Sequence, residues 1–237
     1  MSAADAEVVM FDFYGTVVDM QRGLTEAITP FLRDRGYTGR PEQVVTWWRR
    51  AHFESSMIDA LLHRSHTPYR EVGRRAVAHV LERAGVPCSR EDSQQLVAAI
   101  ERLDPFPDVL AALGDLRARY RLAVLSNGDR DMLDRGLAHL GFRFDHVISV
   151  ADAGSFKPHV DTYRHAAAVV GVPPERILFV ANHAFDCIGA KAFGMQTAFV
   201  DRRSRPFGET DYNPDLIVTD FADLAARLTS PSTAKPS

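Results

Sequence analysis

The sequence predicts an α/β fold, a doubly wound and mainly parallel sheet with an all-helical cap inserted after the first strand. Two observations carry this prediction. Short apolar runs alternate with helix-period segments over the second half of the chain, whereas the interval from about residue 20 to residue 106 contains several helical patterns and no convincing strand. Parallel strands are buried on both faces, so they read as continuous apolar runs. We therefore predict a Rossmann-like core.

Six apolar runs have the length and composition of core strands. They are residues 7–12, 121–126, 146–150, 177–181, 196–200 and 216–219. The segments between the later runs have the apolar spacing of helices, namely residues 107–120, 130–140, 160–170 and 185–193. Gly194 follows the last of these in a typical C-cap position. Strand and helix thus alternate as a parallel sheet requires.

The interval before this alternation has its own helical patterns, at residues 42–62, 69–84 and 91–103. We predict a core formed by residues 1–19 and 107–229, a helical cap domain at residues 20–106, and a disordered polar tail at residues 230–237. Ligands of open α/β sheets bind beyond the carboxyl ends of the strands. An insertion after the first strand can therefore cover such a site.

Composition excludes several classes of function. The 237-residue chain is 46% hydrophobic and has a net charge of -3, which favours a soluble globular protein and argues against binding to nucleic acid. Its N-terminus lacks a signal-peptide pattern, and no apolar run approaches the roughly 20 residues needed to cross a bilayer. We expect a cytoplasmic protein without membrane contact. Cys88 and Cys187 match no paired or metal-ligand spacing and are expected to be reduced.

Polar side chains follow four of the predicted strands at the point where each ends or leads into a loop. They are Asp12, Tyr14 and Thr16, then Ser126 and Asn127, then Lys157, and finally His183 and Asp186. Singly, each has an ordinary structural explanation as a turn residue, a helix cap or a solvated lysine. Together they would place two carboxylates, hydroxyls, an amide and a cation at one edge of a parallel sheet. That convergence predicts a catalytic site.

Four segments carry a resemblance to a known family. FDFYGTVVD, LAVLSNG, SFKPHVDTY and ILFVANHAFDCIGAKAFG occur in this order. The set resembles the haloacid dehalogenase superfamily, and within it the hydrolytic (S)-2-haloacid dehalogenases of the second type, over about residues 7–205. The resemblance implies an enzyme that removes halide from a short 2-haloalkanoic acid to give a 2-hydroxy acid. It also implies a homodimer, as is common among these relatives.

The resemblance implies a role for each site residue. Asp12 would attack the carbon beside the substrate carboxylate and form an ester, Lys157 would keep Asp12 ionised, and Asp186 would activate the water that hydrolyses the ester. Thr16 would orient the carboxylate of Asp12. The implied substrate contacts, some of them to the leaving halide, are Tyr14, Arg49, Ser126, Asn127, Tyr163 and Phe185. Arg50, beside Arg49, stands where the family commonly has Gln.

Two departures from the superfamily's phosphatases concern metal binding. Those enzymes usually carry a second Asp two residues after the nucleophile, where this chain has Tyr14, and open the fourth motif with an acid, where this chain has Asn182. Because Mg²⁺ prefers carboxylate and water oxygens, we expect no metal and no cofactor. The alternatives left open are a Mg²⁺-dependent small-molecule phosphatase, a hydrolase of another activated bond next to a carboxylate, and a binding protein that has lost the chemistry.

Two further departures concern the pocket. His183 replaces the family's usual Asn beside the hydrolytic water, and an imidazole can remove a proton from water as well as hydrogen-bond to it. We interpret His183 as a group that assists Asp186, with local packing at a helix start and metal ligation as the competing readings. Phe185 stands where the family has Trp, which should enlarge or reshape the apolar wall.

Overall fold

A computed structural model describes residues 5–62 and 66–230. Its sheet has six parallel strands in the order β3-β2-β1-β4-β5-β6. The strands are β1 (Val8–Phe11), β2 (Arg121–Ser126), β3 (His146–Ser149), β4 (Ile177–Ala181), β5 (Gln196–Val200) and β6 (Leu216–Val218). Each lies within one of the six predicted apolar runs. The predicted fold class is confirmed.

The register of the three central strands determines where the site lies. Phe11 at the end of β1 pairs with Val124 of β2 on one side and with Val180 of β4 on the other. All four residues of β1 are fully buried, as expected for a strand covered on both faces. Asp12 therefore leaves the sheet level with the ends of β2 and β4. The side chains predicted at those ends meet at one edge.

Helices cover this edge and both faces of the sheet. The segment between β1 and β2 forms α1 (Met20–Asp34), α2 (Pro41–Leu61), α3 (Tyr69–Arg83) and α4 (Arg90–Ala98), followed by a 3₁₀ turn (Ala99–Arg102). The later helices are α5 (Val109–Arg117), α6 (Arg130–Leu140), α7 (Val160–Val170), α8 (Ala184–Phe193) and α9 (Phe221–Thr229), with short 3₁₀ turns at Val150–Asp152 and Pro174–Arg176. The predicted division into core and cap domains stays a prediction, and its tail lies, apart from Ser230, outside the described residues.

Two helices, α1 and α9, were not predicted from the sequence. The apolar positions Leu24, Ile28 and Leu32 of α1 recur every four residues and are buried, and the side chain of Asp19 accepts a hydrogen bond from the backbone N–H of Arg22 as its N-cap. Asp220 caps α9 in the same way through the N–H of Asp223. For both α1 and α9, the capping residue and the apolar spacing can be read from the sequence.

One carboxylate ties the cap helices to the sheet. Asp129, at the start of α6, accepts hydrogen bonds from the backbone N–H groups of Tyr69 (2.7 Å) and Arg70 (3.1 Å) at the start of α3 and from Nε of Arg70 (3.1 Å). The first N–H groups of a helix lack partners within it and carry its positive dipole end, so a carboxylate stabilises them. Asp129 thus fixes α3, and α2 packed against it, over the edge of the sheet. Within the described ranges, no helix has the length and apolar character needed to span a membrane.

Candidate active site

A cavity of about 540 Å³ separates the carboxyl edge of the sheet from helix α2. Eight of the predicted site residues line it, namely Asp12, Tyr14, Arg49, Ser126, Asn127, Lys157, His183 and Phe185. Thr16, Tyr163 and Asp186 are not among the lining residues. Thr16 hydrogen-bonds to Asp12, Asp186 accepts from Lys157, and Tyr163 donates to Asp186. The volume is within the usual range for small-molecule sites.

Asp12 is held by one hydrogen bond on each carboxylate oxygen. Nζ of Lys157 donates to Oδ1 at 2.8 Å, and the Thr16 hydroxyl donates to Oδ2 at 2.7 Å. Thr16 in turn accepts from the backbone N–H of Asn182 at 2.9 Å, which links the turn after β1 to the end of β4. Only 6% of Asp12 is exposed, and its carboxylate faces the cavity in one defined orientation.

Lys157 bridges two buried carboxylates. Its ammonium group donates to Oδ1 of Asp12 at 2.8 Å, to Oδ2 of Asp186 at 2.6 Å and to the carbonyl oxygen of Leu125 at 3.1 Å. All three donors of the ammonium are thereby used. The other carboxylate oxygen of Asp186 accepts from the Tyr163 hydroxyl at 2.7 Å. This arrangement stabilises the charged lysine in a site almost closed to water.

The two carboxylates of this cluster differ in pKa. Burial alone would raise the pKa of Asp12, but the charge of Lys157 and the contacts with His183 bring it well below its ordinary value. Burial raises the pKa of Asp186 above its ordinary value, with the charge of Lys157 opposing and that of Asp12 adding to the rise. When the pKa values of two carboxyl groups are driven apart in this way, one group is suited to act as a nucleophile and the other as a base.

His183 stands at the N-cap of α8, where its side chain makes no capping hydrogen bond. Its Nδ1 lies 3.6 Å from Oδ2 of Asp12. The ring packs over Gly15, which has a φ of +92°, and a Cβ atom built there would lie 2.9 Å from Cε1 of His183. Glycine at position 15 therefore permits both the turn and the close approach of the imidazole. The interpretation of His183 as a locally packed helix-start residue stays a prediction, since its ring also lies 5.7 Å from that of Phe185 in α8.

The cap contributes a cation to the same place. One Nη of Arg49 would lie 3.2 Å from a Cβ at Gly15, and the other donates to Oε1 of Gln21 at 3.0 Å. Burial, together with the charge of Arg203, lowers the pKa of Arg49 to about 10, which still leaves it charged at neutral pH. Arg50 differs, because its side chain is 78% exposed and pairs with Glu54 at 2.7 Å. Of the two adjacent arginines, Arg49 is the one directed at Asp12.

The end of β2 supplies a turn and an amide. Ser126 Oγ accepts from the backbone N–H of Gly128 at 3.2 Å, and Oδ1 of Asn127 accepts from the backbone N–H of Lys157 at 3.0 Å. The second bond identifies the oxygen of Asn127, and no described residue accepts a hydrogen bond from its amide nitrogen. That nitrogen is therefore a donor with capacity for an anion.

Tyr14 and Phe185 form the aromatic part of the lining. The ring of Tyr14 stacks on Tyr69 of the cap with centroids 5.8 Å apart, and its hydroxyl is buried without a hydrogen-bond partner among the residues described. Phe185 contacts Phe53 of α2, with centroids 4.2 Å apart. Both contacts join core to cap across the cavity.

Several lining residues were not predicted from the sequence. Those on the loop after β5 are Arg203 and Arg205, and those on the cap are Met20, Gln21, Thr46, Arg50, His52, Phe53, Ser56 and Tyr69. The spacing of one helix face joins Arg49 to His52, Phe53 and Ser56. Once Arg49 was assigned to the cavity, this spacing would have predicted the other three. The two arginines follow a strand end, the same signal that identified the other core residues.

The donor set does not fit a magnesium ion. Asn182 offers a neutral amide at the position where a Mg²⁺ site would need a carboxylate, and its amide nitrogen donates to the carbonyl oxygen of Val200 at 2.8 Å. The Lys157 ammonium stands between Asp12 and Asp186, where it neutralises the negative charge that would attract a cation. Across the described ranges, no group of three or more His, Cys, Asp or Glu side chains is placed to hold a metal.

A buried carboxylate, bridged by lysine to a second acid at the carboxyl edge of a parallel sheet with flanking helices, is typical of a hydrolase with a Rossmann-like fold. The family model described as haloacid dehalogenase-like hydrolase matches residues 6–194. The chain belongs to this family. The predicted family and the predicted enzyme class, a hydrolase, are confirmed.

Relatives and solved structures agree with this assignment. The chain is 38% identical to an (S)-2-haloacid dehalogenase of Xanthobacter autotrophicus over 201 residues, which cover 84% of this chain and 76% of that one. It is 31% identical to haloacetate dehalogenase H-2 of Moraxella sp. (strain B), over 90% of this chain and 93% of that one. The crystal structure of the L-2-haloacid dehalogenase of Xanthobacter autotrophicus with chloropropionic acid covalently bound is similar with a TM-score of 0.85 and 33% identity, over 97% of this chain and 100% of that one.

Proposed function

We propose that the protein is a hydrolytic dehalogenase that converts a short 2-haloalkanoic acid into the 2-hydroxy acid. The observation that carries this proposal is the pair of buried carboxylates, Asp12 with a lowered pKa and Asp186 with a raised pKa, bridged by Lys157. An ionised carboxylate facing an enclosed cavity is a nucleophile, and a second carboxylate with a higher pKa is suited to accept a proton. The names of the relatives support halide as the leaving group.

In the first step, a carboxylate oxygen of Asp12 attacks the carbon that bears the halogen. The new C–O bond forms as the C–X bond breaks, and the halide leaves with the bonding electron pair. Arg49 and the amide nitrogen of Asn127 are the donors available to receive it, and both act most strongly where water is excluded. Halide needs no proton to leave, so the tyrosine at position 14 is compatible with this step.

In the second step, water attacks the carbonyl carbon of the Asp12 ester. Its proton passes to Asp186, with His183 positioned beside Asp12 to orient the water or to take the proton itself. As the tetrahedral intermediate collapses, its bond to the product oxygen breaks, and that oxygen takes the remaining proton of the attacking water and leaves as the 2-hydroxy acid. The Asp12 carboxylate is thereby restored, and the proton on the base is released to solvent. The covalent chloropropionic acid in the structure of the relative supports an ester intermediate for this chain.

The proposal involves neither metal nor cofactor, and the Lys157 ammonium between Asp12 and Asp186 weighs against the Mg²⁺-dependent phosphatase alternative. The decisive experiment is incubation with 2-chloropropionate, chloroacetate and p-nitrophenyl phosphate, with and without EDTA, while halide and phosphate are measured. We expect halide release that resists EDTA. Phosphate release that EDTA abolishes, without halide, would replace this function by the phosphatase one.

A second measurement tests the intermediate. In the Asp186→Asn variant, mass spectrometry of the protein incubated with 2-chloropropionate should show an adduct on the peptide that contains Asp12. The matched control is Asp211→Asn, an exposed carboxylate outside the cavity, which should turn over normally and accumulate no adduct. An adduct on a different residue, or oxygen from labelled water entering the product directly in a single turnover, contradicts attack by Asp12.

Assembly as a homodimer and a cytoplasmic location stay predictions that rest on likeness to relatives and on the sequence. Light scattering after size-exclusion chromatography measures the first directly. A mass of twice 26.4 kDa is the expected result.

A further inference from the structure

The cavity is far more basic than the rest of the protein. Five permanently cationic residues line it, namely Arg49, Arg50, Lys157, Arg203 and Arg205, and Asp12 is the one carboxylate among the lining residues described. The whole chain, in contrast, carries a net charge of -3. An excess of positive charge confined to one concave surface raises the local concentration of anions. The excess of positive charge in the cavity therefore favours a strongly anionic ligand.

Four of these five cations divide into two groups, those with a carboxylate partner and those without one. Lys157 is neutralised at the base of the cavity by Asp12 and Asp186, and Arg50 is paired with Glu54. Arg203 and Arg205, on the loop after β5, make no side-chain ion pair with any described residue. Their backbone N–H groups both donate to Oδ1 of Asp201, which holds the loop and leaves the two guanidinium groups without a partner.

The positive charges on and near this loop repel one another. Burial and the charge of Arg205 lower the pKa of Arg203, and the charge of Arg203 contributes to the lowered pKa of Arg49. Asp19 is the acid that opposes this repulsion, but its carboxylate is engaged as the N-cap of α1 through the N–H of Arg22. Like charges held together without a counter-ion bind an anion favourably, because the anion removes the repulsion as it forms its own hydrogen bonds.

A simple 2-haloalkanoic acid has one anionic group, and the proposed reaction holds that group at the base of the cavity beside Asp12. We propose that Arg203 and Arg205 form a second anion subsite at the mouth of the cavity, which receives the distal carboxylate of a 2-halodicarboxylic acid. Arginine suits this role, since its planar guanidinium forms paired hydrogen bonds with a carboxylate. The inference rests on the proposed dehalogenase function and specifies its substrate class.

The test compares substrates that differ only in the second carboxylate. Racemic 2-chlorosuccinate is paired with racemic 2-chlorobutanoate, and 2-chloroglutarate with 2-chloropentanoate, and kcat/KM is measured from halide release above an enzyme-free blank. In the wild-type protein, we expect the diacid of at least one pair to exceed its monoacid about ten-fold or more, since a hydrogen bond to a charged group is worth about one such factor. The difference should appear mainly in KM.

The variant Arg203→Gln/Arg205→Gln should lower the ratio of diacid to monoacid about ten-fold, with a much smaller loss for the monoacid. The matched control is Arg33→Gln/Arg143→Gln, which removes two positive charges from exposed positions outside the cavity. It should leave the ratio as it is in the wild type. Thermal unfolding followed by circular dichroism verifies that both variants are folded.

The outcomes separate the two proposals. If the wild type favours the monoacids, or if the loop variant lowers kcat/KM equally for monoacid and diacid, the arginines only steer anions and the subsite is absent. If neither monoacids nor diacids release halide, the dehalogenase function itself fails, and the subsite fails with it. A diacid preference that the loop variant removes and the control variant keeps supports the subsite.

Discussion

The two walls of the cavity differ in how firmly their polar groups are held. The core wall, which comprises Asp12 and Lys157 with Asp186 behind them, consists of buried charges, each engaged by at least two hydrogen bonds. The cap wall, which comprises Arg49, His52 and Phe53 on α2, is held by a single side-chain bond from Arg49 to Gln21, one from His52 to the carbonyl oxygen of Tyr69, and aromatic contacts. In the proposed function, the reaction thus depends on a preorganised surface, and we expect substrate choice to depend on the surface that mutation can alter.

The largest expected effect is at the centre of the core wall. Lys157→Met leaves two buried carboxylates without a cation, and breaking a buried ion pair in this way costs about 3–5 kcal/mol of unfolding free energy. Urea unfolding at neutral pH measures it. The control Lys191→Met removes a half-exposed pair with Asp215 and should cost less than about 1 kcal/mol. Equal losses in both variants would contradict the buried network.

The same variant has a defined pH dependence. In the wild type, the pKa of Asp12 is lowered, so its contribution to stability is present above its ordinary value of 3.8 and is lost as the pH falls through the lower folded value. Without Lys157, burial raises the pKa of both carboxyl groups, and the sign reverses. The stability lost in Lys157→Met should therefore shrink as the pH falls and grow as it rises. A difference from wild type that stays constant with pH would show that Lys157 acts by packing alone.

The next largest effect is expected at His183, where the core wall and the cap wall meet. Its Nδ1 lies near Asp12, so His183→Ala should slow hydrolysis of the ester about a hundred-fold, the lower range for a group that assists proton transfer. The first halide release, measured by rapid quench, should change little. His183→Asn is the matched variant: if it restores hydrolysis, His183 orients water, and if it does not, His183 takes the proton. Wild-type hydrolysis in both variants contradicts either role.

The core wall could be predicted from the sequence and the cap wall mostly could not, for a physical reason. Parallel strands all end at one edge, so a polar residue after a strand, such as Asp12 or Lys157, has its place in space fixed by the topology. Helices of a cap have no such common edge. Which face of α2 meets the sheet depends on packing between α2 and α3, for example the bond from Trp48 to the carbonyl oxygen of Gly73, which no sequence pattern reveals.

Arg49 is the exception on the cap, because the family resemblance identified it where spacing could not. The structure then separates it from Arg50, whose side chain is 78% exposed and pairs with Glu54. His52 shows the opposite case. Its buried ring has a pKa lowered to about 3 by desolvation, so it is neutral at physiological pH, and nothing in its sequence context indicated that burial.

A moderate effect is expected where the cap wall is attached to the core. Asp129→Ala removes three hydrogen bonds to Tyr69 and Arg70 and frees the start of α3, which should raise KM about ten-fold and change kcat less. Asp131→Ala removes a more exposed partner of Arg70 and serves as the control, with KM within about two-fold of wild type. If both substitutions alter KM alike, the backbone bonds to α3 do not set the position of the cap.

The smallest expected effect concerns the aromatic contact between Phe185 and Phe53, whose centroids lie 4.2 Å apart. Phe185→Trp adds ring volume to the cavity, so the ratio of kcat/KM for 2-chlorobutanoate to that for chloroacetate should fall roughly five-fold, as expected for a modest change of apolar fit. Phe53→Leu removes volume from the facing position and should raise the same ratio. Because neither phenyl ring can form a hydrogen bond or an ion pair with Asp12, Lys157 or Asp186, both variants should keep ester formation and hydrolysis in the same order of rate. If kcat/KM instead falls equally for the two substrates, the substitution affects the core wall. The two walls would then be less independent than their contacts indicate.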